Sequence, residues 1–184
     1  MSIQSEADLD GIQRVGRVVA ETLRAMEVEV RLGITTDELD EIGAAVLKRN
    51  GARSAPQIVY GCPAANLISV NDEIVHGLPG SRRLQAGDVV KLDVTAELEG
   101  YVADAATTVV LPGGKAAGMR LRDCAIAAFS AGYSAAQAGR AVSEIGRAVE
   151  RVVTSNGCTS RVPIGFLAEE RIVPQRCHHR TAEC

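Results

Sequence analysis

Tryptophan is absent from this chain, and only two phenylalanines and three tyrosines stand among its 184 residues. Stacking platforms for single-stranded nucleic acid are therefore lacking, and a core has to be assembled from Ala, Val, Leu and Ile. Excess positive charge is missing too: 20 Lys and Arg face 23 Asp and Glu, a net charge of −3. Binding to nucleic acid is not expected on that balance. The sequence contains no run of 18 or more apolar residues, so no membrane span is expected. Five scattered cysteines, Cys62, Cys124, Cys158, Cys177 and Cys184, give neither zinc-knuckle spacing nor an even disulfide framework. The first residues, MSIQSEADLD, are polar and acidic, so no secretory signal is expected and the cytoplasm is the expected compartment. What is present is a 46% hydrophobic, 23% charged sequence, too apolar for a disordered tail. Its length suits one domain or a fragment of a larger one, and the alternation of helical and β-branched segments predicts an α/β protein.

Apolar residues recur at three- and four-residue steps from Leu9 to about Val28, through Ile12, Val15, Val18, Val19, Leu23 and Met26. This predicts an amphipathic helix with Asp8 or Asp10 as N-cap. A second helix is expected from about Thr36 to Arg49, capped by Thr35 or Thr36 and stopped at Asn50-Gly51. After a stretch punctuated by Pro and Gly come β-branched runs near Ile68–Val70, Val89–Val94 and Val102–Val110. Helical character returns from about Lys115 to Gln137 and from about Ala141 to Ser155.

The two helical regions echo each other. Glu41-Ile42-Gly43 recurs as Glu144-Ile145-Gly146, Ala45-Val46 as Ala148-Val149, and Asn50-Gly51 as Asn156-Gly157, with Gly33 and Gly139 ahead of the respective helices. Two such segments are too few for a solenoid but suit a domain of two similar halves. The expected organisation is a first half over residues 1–113, the start of a second over 114–157, and a divergent tail over 158–184. Chance matching of Ala- and Val-rich helices is the alternative.

The stretch with the most chemistry is residues 67–111. Two strands, about Val89–Ala96 and Tyr101–Val110, flank Glu97-Leu98-Glu99-Gly100 and should form a hairpin. A turn centred between Leu98 and Glu99 would set Asp93 directly across from Asp104, with Cβ atoms about 5 Å apart. Two carboxylates facing each other among Val, Leu and Ala repel unless they share a proton or hold a cation between them. Paired carboxylates bridging divalent ions are a known hydrolytic arrangement; the alternative is a slipped register that leaves one Asp solvated. His76, in Val75-His76-Gly77-Leu78-Pro79-Gly80, lies on a loop that could line the same cleft. The Gly113-Gly114-Lys115 segment lacks the spacing of a phosphate loop and is set aside.

The segments Ile68-Ser69-Val70-Asn71-Asp72-Glu73, His76-Gly77-Leu78-Pro79, Gly87-Asp88-Val89-Val90-Lys91-Leu92-Asp93-Val94 and Gly100-Tyr101 through Asp104 resemble the N-terminal half of type I methionine aminopeptidases. The likeness includes the 11-residue step between the two aspartates and covers about residues 8–157. It implies the pita-bread α/β fold of two pseudo-symmetric halves. It also implies Asp93 and Asp104 as metal ligands, and His76 beside the metals in contact with substrate or intermediate. Further implications are divalent ions (Co, Mn, Fe or Zn, two per complete site) and metal-activated water that removes the N-terminal Met of nascent peptides. Ribosome association is a further expectation. The family's other ligands, one His and two Glu, and a second substrate-contacting His belong to its second half. Beyond Gly157 this chain reads CTSRVPIGFLAEERIVPQ, without the Gly-His-Gly motif expected there, and His178 and His179 stand in an unpatterned basic tail. The expectation is thus a family member truncated or altered near residue 158. The rival reading is a catalytically inactive fragment or peptide-binding module of the same fold. An Xaa-Pro peptidase is the lesser alternative.

Overall fold

The computed structural model describes residues 3–159. The tail from residue 160, including Cys177, His178, His179 and Cys184, lies outside the described residues. The described chain divides into two compact units after Gly114.

In the first unit, helix α1 (Glu6–Glu29) packs on a four-stranded antiparallel sheet beside helix α2 (Thr36–Arg49). The periodicity of α1 is used as expected: Val15, Val18, Val19, Leu23 and Met26 are all buried. Its cap differs from expectation. Ser5 is the N-cap, its hydroxyl accepting from the Asp8 N–H, while the Asp8 carboxylate accepts from the Ser5 hydroxyl and the Gln4 N–H. Those bonds hold the Asp8 carboxyl below its ordinary range, the Ser5 hydroxyl contributing most. For α2 the expected Thr35 is the cap, in a reciprocal box: Thr35 Oγ1 accepts from the Glu38 N–H at 3.1 Å and Glu38 Oε2 accepts from the Thr35 N–H at 2.7 Å.

The sheet is built around strand β3 (Val89–Leu98), with β4 (Tyr101–Val110) along one side. Strands β1 (Arg53–Ser54) and β2 (Leu67–Val70) pair with β3 over separate stretches. Period-two alternation sorts β3 cleanly. Val90, Leu92, Val94 and Ala96 are 0% exposed and face the helices. Val89, Lys91, Asp93, Thr95 and Glu97 are half-buried on the opposite face. A short helix, α3 (Ala55–Tyr60), precedes β2. The segment carrying α3 and β1 is where only punctuation by Pro and Gly was expected.

The second unit is a pair of helices, α4 (Ala116–Ala135) and α5 (Ser143–Ser155). They cross closely at Gly132, where an added Cβ would stand 2.9 Å from Val149 Cγ2. The sequence echo is reproduced in backbone detail. Asn50 ends α2 at φ −88°, ψ 4°, and Asn156 ends α5 at φ −90°, ψ 7°. Each side-chain amide donates to the carbonyl four residues back, Val46 at 3.0 Å and Val152 at 2.8 Å, and each is followed by a glycine with positive φ. No helix among the described residues is long and apolar enough to cross a membrane.

Candidate metal-binding face

The β3–β4 hairpin turns on two residues. Leu98 pairs with Tyr101, leaving Glu99 (φ 52°) and Gly100 (φ 86°) as the corner. Two consecutive positive φ values make the tight turn whose twist suits a hairpin, and glycine supplies the second at no steric cost. This turn centres one residue later than expected from the sequence, so the register shifts by two. Asp93 lies opposite Ala106, and Asp104 lies opposite Thr95. The expected direct pairing of Asp93 with Asp104 is therefore corrected to a diagonal one. A two-residue shift preserves the face, so both carboxylates remain on the side away from the helices. Diagonal neighbours stand roughly 7–8 Å apart at Cα, a separation that two short acidic side chains can span toward a common cation.

The two carboxylates are held differently. Asp104 is exposed, and its Oδ1 accepts from the Thr95 hydroxyl at 2.8 Å. Asp93 is paired with Lys91 on its own strand, Nζ to Oδ2 2.8 Å, with side chains 27% and 18% exposed. Glu97 continues the face. Arg53 donates to its Oε2 at 2.8 Å and the Gly100 N–H to its Oε1 at 2.6 Å, and these bonds, Arg53 first, hold its carboxyl below the usual range. Glu97 is thereby committed to the turn.

His76 stands at the edge of the same sheet. Its loop is fastened to β2 through the next residue: the Ile68 N–H donates to the Gly77 carbonyl at 2.8 Å, and the Gly77 N–H donates to Ser69 Oγ at 3.1 Å. A Cβ at Gly77 would lie 2.4 Å from the Ile68 carbonyl oxygen, so no larger residue fits there undisturbed. His76 itself is exposed, with φ 59°. Since β2 separates this loop from β3, His76 is about two strand spacings, roughly 10 Å, from the strand of Asp93. The structure thus brings Asp93 and Asp104 together and leaves His76 farther along the sheet. Among the described residues no three His, Cys, Asp or Glu side chains gather as a metal cluster.

Two residues singled out by their motif prove architectural. Asn71 Oδ1 accepts from the Val89 N–H at 2.9 Å, and its amide donates to Asp88 at 2.7 Å. Asp88, buried, also accepts from the Gln85 N–H. Together they fix where β3 begins, and so which of its residues face the carboxylate side. Asn71 holds this position with a φ of 59°, in the left-handed region that asparagine tolerates.

The chemistry of this donor set fits one edge of a divalent-cation site. Both donors are hard carboxylate oxygens on one face, of the kind that divalent cations take, and the face already draws a cation in the form of the Lys91 ammonium.

Comparison with known proteins agrees with this reading of the fold. The model of Metallopeptidase family M24 matches residues 10–181. Methionine aminopeptidase 2 of Bacillus subtilis is 40% identical over 160 residues, which are 86% of this chain and 64% of that protein. The methionine aminopeptidase of Clostridium perfringens is 40% identical over 106 residues, 58% of this chain and 43% of that protein. The chain thus spans less than two thirds of the length of these relatives. Among solved structures, methionine aminopeptidase from Rickettsia prowazekii superposes with a TM-score of 0.80 at 26% identity, over 84% of this chain and 62% of that one. Prolidase from Pyrococcus furiosus, at 18% identity and a TM-score of 0.73, shares the fold over 84% of this chain and 44% of its own. The α/β architecture is accordingly that of the pita-bread proteins, covered in part. On the extent of the family match, the chain belongs to Metallopeptidase family M24.

Proposed function

We propose that this chain carries the first half of a metal-dependent methionine aminopeptidase site, with Asp93 and Asp104 as its carboxylate ligands and His76 as its substrate-contacting histidine. The single observation that carries the reading is the placement of Asp93 and Asp104 on one face of the β3–β4 hairpin, in a chain 40% identical to a methionine aminopeptidase. A bound divalent ion would supply a Lewis acid and an acidified water for attack on a peptide carbonyl. The chain's own contribution is to present two anionic oxygens from a rigid hairpin and to hold the His76 loop at the sheet edge through Gly77. The remaining ligands, one His and two Glu on the family resemblance, would come from outside residues 3–159 or from another chain. The sequence echo between the two helical regions is compatible with a domain of two halves, 1–113 and 114–157. The proposed substrate is the N-terminal Met of nascent peptides, the proposed metals are Co, Mn, Fe or Zn, two in a complete site, the proposed compartment is the cytoplasm, and ribosome association is proposed with them.

The test is release of Met from a Met-Ala-Ser peptide by the purified chain with each of those ions added in turn. Metal-dependent release that disappears in Asp93→Asn and Asp104→Asn supports the reading. Release unaffected by either substitution contradicts it. A folded sample that releases nothing yet binds the peptide favours the second reading, a peptide-binding module of the same fold. Faster cleavage of Xaa-Pro than of Met-Ala peptides would move the substrate class toward the prolidases that share the fold.

A further inference from the structure

Nine ion pairs occur among the described residues, and in eight of them the cation is an arginine. The exception is Lys91 with Asp93, on the carboxylate face of β3. Residues two apart on a strand project from the same face, so the lysine stem lies alongside the aspartate by construction. Asp104, across the hairpin, accepts from the Thr95 hydroxyl, a neutral donor. Among the described residues, one aspartate of the pair is thus charge-compensated and the other is not.

The choice of cation matters physically. Arginine binds a carboxylate through a rigid fork, whereas lysine offers a compact charge on a flexible, strongly hydrated stem and is readily drawn back to water. A strand position whose side chain is 27% exposed leaves room for that withdrawal. A divalent ion arriving between Asp93 and Asp104 would meet the ammonium already at Asp93 Oδ2, and two cations cannot share that oxygen without strong repulsion.

We propose that Lys91 is the resident counter-ion of Asp93, competing with the divalent cation for that carboxylate and thereby setting how tightly the face holds metal. The inference rests on the reading of Asp93 and Asp104 as metal ligands. In the metal-free chain Lys91 neutralises Asp93 and limits its repulsion with Asp104. In the metal-loaded state the side chain swings to solvent. Lys91 is a positioning residue here and takes no part in bond-making.

The experiment is a titration of the full chain with Co²⁺ alone, followed by visible absorption, in wild type, Lys91→Gln, Lys91→Arg, Asp93→Asn and Asp104→Asn. Thermal unfolding of each metal-free protein is measured in parallel. Removing the competing charge in Lys91→Gln is expected to tighten Co²⁺ binding by about tenfold. The same variant should lower the metal-free unfolding midpoint. Lys91→Arg should bind no tighter than wild type. Binding that depends on Asp93 and Asp104 but is unchanged or weaker in Lys91→Gln overturns the role of Lys91 and leaves the ligand reading standing. Binding indifferent to both aspartates, or absent from every variant, overturns the ligand reading and this inference with it.

Discussion

At Gly77 a missing side chain decides where His76 can stand. The Ile68 carbonyl would lie 2.4 Å from a Cβ there, and that oxygen belongs to a strand fixed by pairing with β3. Gly77→Ala must therefore displace either the loop or β2, at a cost of about 1–3 kcal/mol. Gly80, in the same loop, has nothing within 4 Å of a built Cβ, so Gly80→Ala should stay within about 0.5 kcal/mol of wild type. Urea denaturation of the two variants distinguishes them, and equal effects would contradict this account of the loop. Residue by residue, the sequence was legible where chemistry and spacing coincide. The 11-residue step between Asp93 and Asp104 placed both on one face. Their pairing differs from the expected one because the corner falls on Glu99 and Gly100, and glutamate seldom takes the positive φ it adopts there, although the glycine after it suits such a turn.

Among the elements, the long helices and the β-branched strands lie close to their expected spans, whereas the shortest elements, β1 and α3, have no counterpart in the sequence pattern. Helix α2 begins and ends where Thr35 and Asn50-Gly51 predict, because its box satisfies otherwise orphaned N–H groups and its stop satisfies a carbonyl. Thr35→Ala should cost about 1 kcal/mol by chemical denaturation; a stability unchanged by that substitution would mean that the cap is redundant. In helix α1 the cap is Ser5, where Asp8 or Asp10 is expected from the sequence. Ser5 and Asp8 lie one turn apart and bond each other, so either could serve, and the difference rests on which oxygen meets the Asp8 N–H. Helix α3, six residues with a proline in its first turn, is too short to show a period, and the two residues of β1 show none. Their existence depends on neighbours. Ser54, for example, is anchored by a hydroxyl bond to the Ala65 carbonyl at 2.7 Å.

Over the whole molecule, the first unit has a core that is closed on one face of its sheet and carries its functional candidates on the other. The 0% exposed residues of β3 on the side of α1 make that division, and the hydrophobic pattern of the strand encodes it directly. The second unit buries far less: on α4 only Cys124, Ala128 and Gly132 are buried, while Phe129 and Tyr133 are 74% and 75% exposed. Burial raises the Cys124 thiol above its ordinary range, with the neighbouring Cys158 adding to the effect. The matched helix stops at Asn50 and Asn156 were visible as a sequence echo because side-chain capping is local chemistry. A complete metal site is not legible because it would depend on residues far apart in sequence; on the proposed function, residues 3–159 contribute two carboxylates, Asp93 and Asp104, from one face of the hairpin. On the proposed function those two carboxylates act jointly on one cation. The electron paramagnetic resonance signal of free Mn²⁺, measured as the ion is added to wild type, Asp93→Asn and Asp104→Asn, reports this. Wild type is expected to remove Mn²⁺ from solution, and each single substitution to weaken this by about tenfold or more, since each would remove one charged ligand. Equal Mn²⁺ binding by all three proteins would contradict that joint action.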